Sequence, residues 1–391
     1  MSYDTKNLRN VALLGHPGSG KTSFTECMLF EAGDIKRLGT VEEKNTQSDY
    51  TNLEKERGNS IFASLTHAEW KDSKINIIDT PGFDDFIGEV VSALKVADTG
   101  LMVLNAQNGV EVGTELIWDY VERFETPCLF VINQMDHEKA DYEATLQQAQ
   151  DRFGSKVTPV QYPLESGLGF HKIVDALRMV MYVFPDGGSK PEKEPIPETE
   201  LQRAQEMHNA LVEAAAENDE GLMERFFDEG TLTEEELTEG LRIAIAHQDI
   251  FPVFISSATR NMGSGRIMGF VNDVCPSPAD RPDAKLKGTD EKLPCDSNED
   301  TTVFIYKTMT EPQVGLVSYF KVYAGTLKAG DELINQKNQT NERFGQIFIA
   351  EGKNREQVSD LKAGDIGVTV KLKNTHTNNT LDTKGAEREI E

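Results

Sequence analysis

Short apolar runs alternate with amphipathic stretches through the first part of the chain. NVALLG from Asn10, INIID ending at Asp79, GLMVLN ending at Asn105 and PCLFVIN ending at Asn133 read as buried strands. The intervals between them are long enough for crossover helices, so the rhythm predicts a parallel α/β sheet. Over 186–200 the composition turns to Gly, Pro, Lys and Glu, which marks a loop. An acidic helical stretch follows over 200–247, with Leu211, Leu222, Phe226, Leu237 and Leu241 spaced for buried faces. FPVFISS then restores the strand rhythm from Phe251, so 159–250 reads as an insertion within one domain.

The pattern changes again over 281–300, where Pro, Lys, Asp and Gly accumulate without an apolar period. That stretch reads as a linker. From Thr302, short alternating runs (TVFIYK, LVSYFKVYAG, IGVTVKL) broken by Gly-containing turns predict a small antiparallel β-barrel. The division expected is 1–158 with 251–280 as one domain, 159–250 inserted in it, 281–300 linking and 301–391 as the barrel. The phrase Leu-Lys-Ala-Gly-Asp occurs at Leu327 and again at Leu361, which we read as reused turn chemistry rather than a repeat architecture.

Bulk properties narrow the function classes. The 391 residues, 38% of them hydrophobic, fit two or three domains. The apolar runs are far too short for a bilayer span, and residues 1–9 are polar, so we expect a cytoplasmic protein without a membrane partner. Cys27, Cys128, Cys275 and Cys295 are scattered without a metal-ligand rhythm and read as reduced and structural. A formal charge of −26 argues against coating DNA or other nucleic acid by general electrostatics. An RNA-rich partner has to be met through particular faces or through its protein components.

Gly15-His16-Pro17-Gly18-Ser19-Gly20-Lys21-Thr22 satisfies the P-loop pattern between a strand and a helix-like run. Glycines let backbone N–H groups curl around phosphates, Lys21 supplies a point charge, and the Thr22 hydroxyl can ligate Mg²⁺. Asp79-Thr80-Pro81-Gly82 ends a buried strand, placing a carboxylate where open α/β sheets bind ligands. Asp79 is expected to support Mg²⁺, and the Gly82 N–H can approach a γ-phosphate without a Cβ clash. Asn133-Gln134-Met135-Asp136 follows the next strand. A carboxylate at Asp136 can accept the paired N1–H and N2–H₂ donors of guanine, which adenine lacks. Ser257-Ala258-Thr259, after FPVFI, supplies a backbone N–H for guanine O6.

Together with Glu56-Arg57-Gly58-Asn59-Ser60-Ile61, these motifs resemble the translational GTPases, specifically elongation factor G and its elongation-factor-G-like paralogues. YFKVYAGTLKAGD over 319–331 and Leu361-Lys362-Ala363-Gly364-Asp365-Ile366 look like that family's second domain. The resemblance covers nearly the whole chain and implies a P-loop NTPase G domain with an inserted α/β subdomain, followed by the translation-factor β-barrel. It further implies GTP/GDP and Mg²⁺ as ligands, the ribosome (rRNA and ribosomal proteins) as partner, and C-terminal translocation domains that this chain does not reach. The nucleotide is expected on His16, Gly18, Ser19, Gly20, Lys21, Thr22, Asn133, Gln134, Asp136, Ser257, Ala258 and Thr259. Mg²⁺ is expected on Thr22, Ser60 and Asp79, and hydrolysis at Lys21, Thr22, Ser60, Gly82 and Phe83.

The chain departs from the family pattern at Gly18 and Ser19, where elongation factor G commonly has Asp and Ala, at Asn59, and at three positions closer to the chemistry. Ser60 stands where the family usually has a threonine but keeps the hydroxyl. Gln134 replaces a lysine and lacks the cationic stem that lies along the base. Phe83 replaces the histidine of DTPGH, and a phenyl ring neither orients water nor stabilises developing charge. Of the neighbouring side chains, we expect His16 to pack locally, Asp84 and Asp85 to lie at the surface or cap, and the acidic run over 213–239 to form a solvated helical face that can dock a basic ribosomal protein.

Overall fold

The first apolar run becomes β1, Leu8–Leu14, in which every residue is buried. Such two-sided burial is what a central parallel strand demands, because helices cover both of its faces. The structure, a computed structural model, describes residues 2–185, 190–312 and 314–391. β1 lies between β3 (Ser73–Asp79) and β4 (Thr99–Asn105), both parallel to it. β5 (Cys128–Asn133), β11 (Phe251–Ile255) and β6 (Val157–Pro159) continue the sheet in parallel, and β2 (Ser64–Trp70) closes the other side antiparallel to β3. Chain order reverses at β1. The loop leaving its C-terminal end therefore opens into the crevice where such sheets hold ligands.

Two apolar layers flank this sheet. Helices α3 (Ile87–Leu94), α4 (Val112–Arg123) and α5 (Tyr142–Phe153) cover one face, where Trp118 packs 5.4 Å from Phe130 and 4.6 Å from Phe153, ring centre to centre. The other face carries α1 (Lys21–Ala32) and α9 (Ser264–Asp273), which bring Phe24, Met28, Ile267 and Phe270 into the second layer. A short helix, α2 (Asn52–Arg57), begins with a capping box in which Thr51 and Glu54 satisfy each other's backbone N–H groups.

Between β6 and β11 the described residues build a four-stranded antiparallel sheet and three α-helices. The strands are β7 (Gln161–Pro163), β8 (Lys172–Asp175), β9 (Val180–Val183) and β10 (Glu192–Glu194), in spatial order β10-β9-β8-β7. Residues 186–189 of the expected loop lie outside the described residues. Its later part contains β10, an edge strand exposed throughout, so no burial pattern marks it in the sequence. The acidic stretch divides into α6 (Leu201–Ala216), α7 (Glu220–Glu229) and α8 (Glu234–Ala246). Gly230 in the left-handed region ends α7, and a Thr233/Glu236 capping box starts α8. Leu211, Leu237 and Leu241 are buried there, with Leu222 and Phe226 packed against them.

The stretch 281–300 contains a small hairpin, β12 (Ala284–Lys285) with β13 (Lys292–Leu293), whose Leu286 and Leu293 are buried. Beyond it an eight-stranded antiparallel sheet, led by the long strands Thr302–Glu311 and Gly315–Ala324, wraps a core that includes Val303, Phe320, Phe344 and Leu381. The two Leu-Lys-Ala-Gly-Asp phrases lie side by side, Leu327 opposite Leu361. Gly330 and Gly364 both hold φ near +95°, at 97° and 94°, so the echo is indeed one turn used twice.

Buried ion pairs join this sheet to the first. Lys74 Nζ donates to Asp365 Oδ1 at 2.9 Å with both side chains 2% exposed, and Lys321 Nζ donates to Asp98 Oδ1 at 2.8 Å. Asn76 and Asn10 complete the network, donating to Asp365 (3.0 Å) and Asp98 (2.6 Å). Every charge there has a hydrogen-bonded partner, which is the condition for burying it.

Candidate nucleotide-binding site

The residues after β1 curl back before α1 begins. Gly20, the residue before the helix, sits at φ +95°, and a Cβ on it would overlap the Asn133 amide. Only glycine fits there. Lys21 folds over the loop and donates to the carbonyls of Gly15 (2.8 Å) and His16 (3.1 Å). Gly82 closes the opposite side. A Cβ there would stand 2.6 Å from Lys21 Nζ and 2.6 Å from the Pro17 nitrogen.

Thr22, Ser60 and Asp79, expected to share a cation, come together. The Thr22 hydroxyl donates to Asp79 Oδ2 at 2.8 Å and lies 3.2 Å from Ser60 Oγ. Asp79 Oδ1 is buried with no partner among the described residues. Burial pushes the Asp79 carboxyl up to about 6, against the Thr22 hydroxyl and Lys21, which favour its ionised form. Asp49 stands beside it, pushed up to about 7 by burial and then by the Asp79 charge. Burial pulls Lys21 down to about 8. Two carboxylates, one of them with an orphaned oxygen, and two hydroxyls in one largely buried cluster fit a hard dication. Among the described residues no group of three His, Cys, Asp or Glu side chains is placed to hold a metal, so most oxygens would come from water and phosphate, as suits Mg²⁺.

A cavity of about 300 Å³ runs from this cluster along Pro17, Gly18, Gly20, Gly82 and Phe83 to Gln134 and Thr259. An adjoining one of about 400 Å³ is lined by Gln134, Asp136, His137, Glu138, Leu168 and Thr259. Gln134 and Thr259 belong to both walls. The arrangement sets a chamber walled by the P-loop and Lys21 beside a second one that carries the Asp136 carboxylate from the Asn133-Gln134-Met135-Asp136 turn.

Comparison with known proteins decides the family. The elongation factor Tu GTP binding domain matches residues 6–277, and elongation factor G domain 2 matches residues 300–384. The chain belongs to the translational GTPases. Its structure is similar to the crystal structure of a protein from Thermus thermophilus, with 29% identity and a TM-score of 0.85 over 96% of this chain. The match covers 54% of that protein, so this chain spans about half its length.

Several expected site residues of this translational GTPase stand behind the cavity walls. Asn133 donates to the Ser19 carbonyl at 2.9 Å and accepts the Ala258 N–H at 3.0 Å, tying the P-loop to the turn after β11. That N–H belongs to the Ser257-Ala258-Thr259 segment, from which one N–H is expected to face guanine O6. Ser257 and Ser19 are buried. The Asp136 carboxylate accepts from the Thr259 hydroxyl at 3.2 Å, which aims it along the second chamber. Gln134, in the left-handed region at φ +62°, donates to the Gly18 carbonyl at 2.8 Å and accepts from Asn105 at 2.9 Å. The amide thus clamps the P-loop, a function that the absence of a cationic stem does not reveal.

His16 turns toward Glu111, with Nε2 3.5 Å from its carboxylate, and packs against Gly113 at the start of α4. It lies outside the phosphate chamber. Phe83 is 42% exposed, and Asp84 and Asp85 beside it are exposed on a single 3-10 turn.

Sequence reading did not single out Asp49, Glu54 or Glu89. Glu54 is buried and accepts the N–H groups of Ile61 and Phe62, both at 3.1 Å, so it shapes the backbone that presents Ser60. Its Thr-x-x-Glu spacing was the available signal. Glu89 accepts the Ala63 N–H at 2.7 Å and meets Lys307 from the second sheet at 2.8 Å. No local pattern announces a pair so distant in sequence.

Proposed function

We propose that this chain is the GTP-binding portion of an elongation-factor-G-type GTPase, which binds GTP with Mg²⁺ and hydrolyses it in connection with ribosomal translocation in the cytoplasm. The observation that carries the reading is the Thr22–Asp79–Ser60 cluster set against the Lys21 loop, since phosphoryl transfer is catalysed mainly by positioning and electrostatics. Lys21 supplies positive charge beside the loop, and the loop's N–H groups with the α1 N-terminus orient the phosphates. Thr22, Ser60 and Asp79 would hold Mg²⁺, which when bound neutralises charge on the phosphate oxygens. Asp136 selects guanine by accepting its paired donors. The net charge of −26 limits any ribosomal contact to chosen faces, and the exposed acidic surface of α7 and α8 offers one to a basic ribosomal protein.

Phosphate release by the intact protein, with and without ribosomes, tests this. A ribosome-stimulated rate is expected, and no stimulation counts against it. GDP is expected to outcompete ADP for the site.

One observation favours a second reading, a GTP-dependent ribosome-binding paralogue with little turnover, including a protection or recycling factor. Phe83 borders the phosphate chamber with a side chain that has no polar atom. Phe83→His separates the two: a large gain in stimulated turnover supports the binding module, and no gain means that other groups position the water.

A further inference from the structure

Residues of 173–241 and of α9, with Trp70 of β2, line two cavities that share part of their walls. One, of about 500 Å³, lies among Leu177, Leu237, Leu241, Phe270 and Val274. The other, of about 300 Å³, lies among Trp70, Ile173, Tyr182 and Phe184. Arg178, Lys193 and Arg266 line both. Three cations converging on two adjoining hollows, each with apolar side chains in its wall, are unexpected in a chain of net charge −26.

Accounting for hydrogen bonds shows what the hollow lacks. The acceptors in and directly behind its walls are largely taken: Asp175 Oδ2, buried behind the wall, receives Arg266 Nε (2.7 Å) and Gln161 (3.0 Å), Asp273 pairs with Lys71 (2.8 Å), and Glu31 receives Asn261 (2.6 Å). Glu234 stands exposed at the rim. Donors are in surplus. Arg266 Nη2 and Trp70 Nε1 are both buried without a partner among the described residues. The Arg266 side chain is only 8% exposed and is held flat by Asp175 and by the rings of Phe254 and Phe270, each 5.7 Å away. Arg178 has one long bond, 3.5 Å to the Tyr182 hydroxyl, and Lys193 has no side-chain hydrogen bond or ion pair among the described residues. Buried donors without acceptors are costly, and a fixed guanidinium fork suits a planar or tetrahedral oxyanion.

We propose that these joined cavities bind a small organic oxyanion, a phosphate or carboxylate on an apolar body, with Arg266 and Trp70 as buried donors and Arg178 and Lys193 as exposed cations. The volumes lie in the range of small-molecule sites. The site is separate from the nucleotide chamber.

The two tryptophans make the test direct. With the nucleotide site saturated by GDP and Mg²⁺, phenyl phosphate is titrated into the protein while the two indole N–H resonances are followed by NMR, Trp70→Phe assigning them. The Trp70 signal is expected to shift saturably. The Trp118 signal, whose N–H already donates to Glu122 at 2.9 Å, is expected to stay. Phenylacetate is the second arm: whichever of the two binds more tightly names the oxyanion. Arg178→Gln with Lys193→Gln, and separately Arg266→Lys, which keeps a charge opposite Asp175, each weaken binding by about tenfold or more. The proposal is overturned by no saturable Trp70 shift, by an equal response to neutral benzyl alcohol, by equal affinity for inorganic phosphate, or by unchanged affinity in both variants.

Discussion

Lys307 reaches from the second sheet to the segment that follows Ser60, and removing its charge measures how firmly the two units hold the nucleotide site. Its Nζ donates to the Ala63 carbonyl at 2.7 Å and to Glu89 Oε2 at 2.8 Å, and the same Glu89 oxygen receives the Ala63 N–H at 2.7 Å. The side chain of Lys307 is 7% exposed and that of Glu89 26%. Lys307→Met keeps the aliphatic stem but leaves the Ala63 carbonyl unpaired and the Glu89 carboxylate with one donor. A fully buried pair broken this way costs about 3–5 kcal/mol, and the partial exposure of Glu89 reduces that to about 2–3 kcal/mol.

Hydrogen exchange at the Ala63 amide is the suitable assay, because it reads the loss locally, whereas a single global midpoint is ill-defined for a chain of more than one domain. A loss of that size speeds exchange there by roughly 30- to 150-fold. Adding Glu89→Gln removes the stranded charge, so the double variant is expected to recover about 1–2 kcal/mol of the loss. Exchange at Ala63 changed by less than about twofold would refute the clasp and leave Ser60 to be positioned by Glu54 alone.

Other perturbations follow from the same geometry. Gln134→Ala releases the Gly18 carbonyl, and GDP binding measured by fluorescence competition is expected to weaken by about fivefold, the worth of about 1 kcal/mol in one hydrogen bond. Gly82→Ala puts a methyl group onto Lys21 Nζ and the Pro17 nitrogen, so GTP binding should suffer far more than overall stability in thermal melts. Asp49 and Asp79 have folded carboxyls raised to about 7 and about 6, so the folded protein holds those protons more tightly than the unfolded chain. Their contribution to the stability of the nucleotide-free protein is complete below about pH 3.9 and is lost as pH rises through about 6 to 7; Asp49→Asn should flatten that slope in denaturant titrations. Burial raises all four thiols, Cys275 and Cys295 to about 12, so native protein at pH 8 should react slowly with a disulfide reagent, and unfolded protein at once.

What the sequence shows and what it hides divide along the reach of the interactions. β1, β4 and β5 were legible because each carries an unbroken apolar run of four or five residues, and the P-loop was legible because one short segment contains both its glycines and its charge. β10 was not, being three exposed residues of Glu and Lys that owe their conformation to β9 alone. Asp49 shows no more than a solvated acid would. Its pKa is raised by burial beside Asp79, thirty residues on, and nothing near it in sequence announces that neighbour.

Two of the departures from the family pattern divide in the same way. Gln134 and Phe83 were both visible as substitutions, and both read as losses when the side chain alone was considered. For Gln134 the partners change the reading: Asn105 on one side and the Gly18 carbonyl on the other turn a missing charge into a clamp on the P-loop. Phe83 gains no such partner, since its ring offers nothing to hydrogen-bond and is 42% exposed beside Gly82. The P-loop side of the cavity is therefore built from groups that hold one another in place, whereas Phe83 at its edge is only a solvent-facing ring. A nucleotide held well and hydrolysed slowly until another surface covers Phe83 is the behaviour this asymmetry predicts.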